Sequence, residues 1–306
     1  MQVVATIIPI FAVIALGGLA RWKGFLEPHF LGPANRLVFY LAIPAMIFRA
    51  LAGASLQGRF EVGAMAATIL AVVAVYLLSW LGGLFTGVRR RNLGPFVQCS
   101  IHGNLGYIGF AVAYYALGND GLVRASIIGG FLILLQNFLG VFVLQYYASA
   151  GGRIGAKIGM ALKVLVNPVI LACIAGTGVS LLEIPVPTVL DRSLEILGGL
   201  ALPMALLIIG ASMSFDLVRS HLKPVVASGV IKTLVLPGVG LGLYILWGLA
   251  PEDYMPGLIL LASPTATVTF VMAREMKCDA DFAVAAVSIS TMLSALTFSV
   301  WLNAGG

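Results

Sequence analysis

Leu41-Ala42-Ile43-Pro44 returns 159 residues later as Leu200-Ala201-Leu202-Pro203, and the same offset carries Pro9 to Pro168, Gly17 to Gly176, Gly83 to Gly242 and Asp120 to Asp279. Proline makes up about 5% of an ordinary chain, so two coincident proline pairs point to duplication. Both copies are apolar: hydrophobic residues form 60% of the chain and charged residues 10%, at a mean hydropathy of +1.04. A soluble domain of 306 residues does not have this composition. A duplicated membrane unit with helix breakers at matched places is the usual signature of a secondary transporter.

A bilayer core about 30 Å thick takes about 20 apolar residues per helix. On that criterion the sequence predicts ten spans, at residues 3–21, 33–53, 62–87, 95–117, 122–148, 159–182, 189–213, 224–249, 254–275 and 281–302. The first run follows no basic residue and is followed by Arg21 and Lys23, the reverse polarity to a secretory signal peptide, so it is expected to be a true span. The repeats meet in the basic, glycine-rich stretch 149–157, with Gly151, Gly152, Arg153 and Gly155, which leaves no room for a soluble domain. Residues 1–150 and 151–306 are thus read as two five-helix repeats.

Lysine and arginine set the expected orientation. The connections after spans one, three, five, seven and nine carry Arg21, Lys23 and Arg36; Arg89, Arg90 and Arg91; Arg153, Lys157 and Lys163; Arg219 and Lys223; and Arg274 and Lys277. The alternate side has only Arg49, Arg59, Arg124 and Arg192. The odd connections are therefore expected in the cytoplasm and both termini outside, and an odd number of spans per repeat inverts the second repeat. The net charge of +6 lies in these clusters and not along one face, so no nucleic-acid partner is indicated. Cys99, Cys173 and Cys278 are far apart and show no metal or disulfide spacing; neither a metal nor a cofactor is expected.

Span four reads Phe96-Val-Gln-Cys-Ser-Ile-His-Gly-Asn-Leu-Gly-Tyr-Ile-Gly-Phe110, with Gly103, Gly106 and Gly109 three apart and Asn104 among them. Its repeat partner, span nine, holds Ser263-Pro264-Thr265-Ala266-Thr267. Glycine loosens a helix and proline removes an N–H, so both spans are expected to break near mid-membrane, as are the segments at Pro44 and Pro203. Small residues that merely let helices pack closely would give a similar composition. Two breaks at matched repeat positions favour interruption, which would present half-helix termini and hydroxyls to one space, a site for an anion or other polar substrate.

Lys232 lies nine residues into span eight with no acidic residue near it in sequence. A cation at mid-membrane costs roughly 2.5–3.5 kcal/mol on insertion scales. Two readings stand open: it faces a cavity or broken-helix carbonyls, or it snorkels to the interface. His102 can titrate near neutral pH, though a lone His in a helix is more often a packing residue, and Tyr107 either floors a cavity or packs. Gln136, Asn137 and Asn167 are expected to hydrogen-bond between helices. Glu61, Glu183, Glu195, Asp253 and Glu275 all sit near helix ends, so no carboxylate relay is visible.

These segments resemble the auxin efflux carrier family, which includes plant PIN auxin exporters and bacterial malonate-type transporters. Asn35-Arg36-Leu-Val-Phe-Tyr-Leu-Ala-Ile-Pro44 is similar to the family's second helix, and Gly103-Asn104-Leu-Gly-Tyr-Ile-Gly109 to its first crossover with a substrate-contacting Asn. Phe270-Val-Met-Ala-Arg274-Glu275 is similar to its closing segment, and Lys232 stands five residues before Pro237, a spacing at which PIN-like sequences carry a basic residue. The resemblance covers all ten predicted spans. It implies an all-α polytopic membrane protein of two inverted five-helix repeats with broken crossover helices 4 and 9, similar in fold to bile-acid and sodium/proton carriers, with an elevator mechanism in the bacterial inner membrane. The long hydrophilic central loop of plant PINs is missing, and Ser263-Pro264-Thr265 leaves open whether a planar indole acid fits.

The resulting expectation is a secondary transporter of a small organic anion. The substrate would meet Gly103, Asn104, Gly106, Tyr107, Lys232, His102, Ser263, Pro264, Thr265 and Thr267, with proton or sodium coupling and a homodimer both open. A membrane sensor that binds a metabolite without moving it is the alternative. No HExxH, GxSxG or P-loop motif supports an enzyme or an ATPase.

Overall fold

The computed structural model of the chain describes residues 2–54, 61–85, 88–148, 167–214, 216–220 and 222–304. The repeat junction at 149–157, the cations Arg59, Arg153, Lys157 and Lys163, and the expected start of span six lie outside the described residues. Those described are almost all helical, as apolar segments must be where lipid offers no partner to the backbone. α1 runs Gln2–Trp22. α2 (Pro28–Leu37) continues through a π turn, Val38–Ala42, into α3 (Ile43–Ala52), and α4 spans Val62–Phe85. α5 (Arg90–Ile101) stops before a second π turn, Leu105–Gly109, which leads into α6 (Phe110–Tyr147), bent where Gly118 has φ 70° and ψ −161°. α7 is Pro168–Leu181, α8 Thr188–Gly199, α9 Ala201–Ser212 and α10 Asp216–Ser220. α11 (Leu222–Val230) passes through a third π turn, Ile231–Val235, into α12 (Leu236–Leu246). α13 (Pro251–Ala262), α14 (Val268–Glu275) and α15 (Ala280–Ala304) complete the order. Among the described residues six helices are long and apolar enough to cross a membrane, namely Pro28–Ala52, Val62–Phe85, Leu105–Tyr147, Thr188–Ser212, Leu222–Leu246 and Ala280–Ala304.

Pro44 does not interrupt its helix. Its ring crowds the carbonyl one turn back and it offers no N–H, and the helix answers by widening into the π turn Val38–Ala42. Pro237 follows Ile231–Val235 in the same way. Gly109 closes a π turn and runs directly into α6, so it breaks nothing. Of Pro44, Gly109 and Pro203, Pro203 alone accompanies an interruption, at Leu200 between α8 and α9.

The chain divides into two compact units, one of Met1–Glu61, Gly106–Phe131 and Val166–Ser212, the other of Val62–Leu105, Leu132–Leu165 and Met213–Gly306. In the first, small residues set close helix contacts. A Cβ on Gly17 would collide with the backbone of Leu207, and one on Gly176 would lie 2.9 Å from the carbonyl oxygen of Phe48. Arg49 ties α3 to α8, its Nε 2.9 Å from Asp191 Oδ1 and its Nη2 3.4 Å from Glu195 Oε1. In the second unit Thr68 and Tyr244 share a hydroxyl hydrogen bond of 2.6 Å, and Tyr244 stacks on Tyr254. Asn137 donates to Ile133 O in its own helix and Asn167 caps the N-terminus of α7 through Val169 N. Both therefore make local hydrogen bonds where interhelical ones were expected, because a short amide reaches a neighbouring backbone group before it reaches another helix.

Large apolar side chains such as Leu16, Leu77, Leu81, Phe138, Ile174 and Leu296 are exposed. Such surface suits hydrocarbon rather than water.

Candidate functional site

The second unit contains both predicted breaks and brings them together. α5 ends at Ile101 because His102 turns extended, and α13 ends at Ala262 because Ser263 does the same. The two extended pieces then pair antiparallel, with Gly103 opposite Thr265. Asn104 N donates to Pro264 O at 2.7 Å and Ala266 N to His102 O at 2.9 Å. This is a scrap of β-ladder inside a helical unit, and it satisfies backbone groups that the breaks set free.

The remaining freed groups are met by side chains. Gly103 N donates to Gln136 Oε1 of α6 at 3.1 Å, and Thr265 N to Ser290 Oγ of α15 at 3.0 Å. Cys99 O, which an unbroken α5 would have bonded to Gly103 N, instead accepts from Thr265 Oγ1 at 2.9 Å. Leu261 O, which an unbroken α13 would have bonded to Thr265 N, accepts from Lys232 Nζ at 2.7 Å. Lys232 thus sits at the C-terminal end of a half-helix, where the macrodipole favours a cation. It is fully buried in the π turn between α11 and α12 and does not snorkel to a surface. Three donors on its ammonium leave two beyond the Leu261 carbonyl.

Close approach explains Gly103. A Cβ there would lie 2.5 Å from Ser263 Oγ and 3.3 Å from Lys232 Cε, and Ser263 Oγ is itself engaged with Leu260 O at 2.6 Å. His102, Asn104, Ser263 and Thr265 are all buried polar residues. His102 Nδ1, Gln98 Oε1, Gln136 Nε2 and Thr291 Oγ1 have no hydrogen-bond partner among the described residues. Buried polar atoms of this kind are normally paired. His102 is in the pairing, Gln98 stands one turn before it on α5, Gln136 is the residue that meets Gly103 N and Thr291 adjoins the Ser290 that meets Thr265 N, so the crossing offers donors and acceptors beyond those its own backbone consumes. Thr267 stands at the N-terminus of α14 and makes no side-chain capping bond there. Gly106 and Tyr107 belong to the first unit, where Tyr107 donates to Asn35 Oδ1 at 2.6 Å.

Ser290 is absent from the sequence-based expectations, whereas Gln136, expected to hydrogen-bond between helices, does so by accepting from Gly103 N. A signal for Ser290 exists: Ser290, Ser294 and Thr297 recur at helical spacing and are all buried, a hydroxyl stripe along one face of α15.

A family model described as membrane transport protein matches residues 2–150 and 156–302. The chain belongs to that family, the auxin efflux carriers. The match makes this auxin efflux carrier family member a multi-pass membrane transporter and not an enzyme. Relatives align along nearly the whole chain. A protein of Rhizobium meliloti named "Putative malonate transporter" is 26% identical over 97% of this chain and 93% of its own. An "Uncharacterized transporter" of Methanothermobacter thermautotrophicus is 24% identical over 97% and 96%. The "Uncharacterized transporter YfdV" of Escherichia coli K12 is 19% identical over 98% and 96%.

Proposed function

We propose that the protein is a secondary active transporter of a small organic anion, that it works by elevator-type alternating access, and that the anion binds at the crossing of α5 and α13. The observation that carries this reading is the pairing of two interrupted helices in a buried polar cluster beside the enclosed ammonium of Lys232. A mono- or dicarboxylate meets there what it needs in a dry site: a cation with donors to spare, and the Gln136 amide nitrogen and Thr291 hydroxyl that have no partner among the described residues. Asn104, Gly103, His102, Ser263, Pro264, Thr265 and Thr267 are the groups around it. The name of the Rhizobium relative supports a carboxylate.

The alternating-access part rests on duplication. Gly17 against Leu207 and Gly176 against Phe48 are the same contact shifted by 159 residues in both partners. Four of the five left-handed backbone positions among the described residues obey the same shift, Gly24 (φ 77°) with Glu183 (φ 52°) and Gly118 (φ 70°) with Lys277 (φ 56°), and only Gly248 (φ 67°) does not. These coincidences support two inverted five-helix repeats, hence ten spans with both termini outside a cell membrane. Two interleaved compact units support a moving body and a static one.

The test is uptake of labelled carboxylates, from malonate to indole-3-acetate, into proteoliposomes with imposed proton or sodium gradients. Saturable uptake of one acid, reduced about 10- to 100-fold in kcat/KM by Asn104→Ala in a protein that still melts normally, is expected from the loss of a hydrogen bond to a charged ligand. Binding without translocation under every gradient would identify a sensor instead.

A further inference from the structure

We infer that the second unit carries a specific site for one anionic phospholipid, apart from the crossing. A cavity of about 810 Å³ opens between α4, the start of α5 and α11. Its wall is hydrocarbon, from Val75, Leu78, Phe96, Ile231 and Val235. Its charged lining is cationic: Arg89 and Lys223 both face it, and no carboxylate lines it among the described residues. Neither cation is paired with a carboxylate among the described residues, whereas neighbouring Arg91 approaches Asp279 at 3.9 Å. Asn92 also lines the cavity; it is 3% exposed and its Oδ1 has no partner among the described residues.

These features select one occupant. An apolar wall of this size takes an acyl chain and has little to offer a free inorganic anion. Two unpaired cations beside that wall require a negative headgroup, so a zwitterionic lipid gains less from the site. Basic pockets between membrane helices, near a leaflet surface, bind headgroup phosphates in this manner. The buried Asn92 oxygen adds a demand for a donor, which the glycerol hydroxyls of phosphatidylglycerol supply. The phosphate lies against Arg89 and Lys223 and a chain runs along Leu78, Phe96 and Ile231.

The experiment compares the full-length protein in nanodiscs and by native mass spectrometry with phosphatidylglycerol and with phosphatidylcholine of identical chains. Each cation near a headgroup is worth about a five-fold change in affinity, so the two together give about a 25-fold preference for phosphatidylglycerol. Arg89→Gln or Lys223→Gln should each lower it about five-fold, and the double variant should abolish it. Gly82→Leu supplies an independent arm: Gly82 lines the cavity and a Cβ there meets nothing within 4 Å, so the position has open space for a bulkier residue. That variant should reduce retention of both lipids while leaving the rim charges and the melting temperature intact. Equal retention of the two lipids by the unaltered protein, or a preference that survives the double variant, overturns the site. Displacement of the lipid by millimolar inorganic phosphate would assign the cations to a soluble anion and overturn it as well.

Discussion

The contact between Gly103 and Ser263 concentrates the chemistry of the crossing into two atoms. Ser263 Oγ cannot withdraw from an added methyl group at residue 103 without giving up its bond to Leu260 O. Gly103→Ala should therefore cost about 1–3 kcal/mol, as overpacking does. Adding Ser263→Ala removes the colliding oxygen and should recover about half of that, a coupling that a thermal melt of both singles and the double reads directly. Lys232→Met keeps much of the apolar stem and removes the donor to Leu261. It should destabilise by about 1–3 kcal/mol through an unmet buried carbonyl and should also raise KM for the anion. A variant equally stable but with raised KM would assign Lys232 to the substrate alone; one less stable with KM unchanged would assign it to the fold alone. Lys232 was legible as an anomaly because a lone cation in an apolar run has to be explained. Its partner was not, since Leu261 O becomes available only once α13 stops.

At the scale of the element, prolines in this chain mostly bend hydrogen-bonding rather than cut helices. Pro237 denies an N–H to the carbonyl of Thr233, and the indole Nε1 of Trp301 donates to that carbonyl at 2.8 Å. Trp301→Phe should leave it unmet, at about 1–3 kcal/mol. Pro237→Ala in the same chain returns a backbone donor, so the double variant should be more stable than Trp301→Phe alone, as a melting series checks. Proline and glycine positions announced that something irregular happens at 44, 103 to 109, 203 and 264. They did not say what, because a π turn, a one-residue gap and an extended crossing share the same punctuation. The outcome depends on whether another helix presents a side chain to the freed groups. Trp301 and Ser290 do so from α15 and Gln136 from α6, helices far along the chain from the groups they meet.

At the scale of the whole molecule, the duplication proposed from the 159-residue offset is open to a symmetric perturbation. Gly17→Val and Gly176→Val each drive a side chain into backbone of the first unit, at Leu207 and at Phe48. If the two repeats are structurally equivalent, both should lower thermal stability to a similar extent, by several kcal/mol, since backbone cannot yield as a side chain can. A large loss at one position only would argue that the 159-residue offset has outlived the symmetry it records. What the sequence did not display is the interleaving of the two compact units, because contacts between distant helices leave no trace in local composition. The small antiparallel pairing at the heart of the second unit has a consequence in time as well. Asn104 N must wait for Pro264 O, 160 residues further along the chain. At roughly 5–20 residues per second a ribosome needs about 8–30 seconds to supply it. Throughout that interval the half-made protein has a stretch of naked peptide that lipid cannot solvate, so the newborn first half must shelter it in water or against the insertion machinery until the second half arrives.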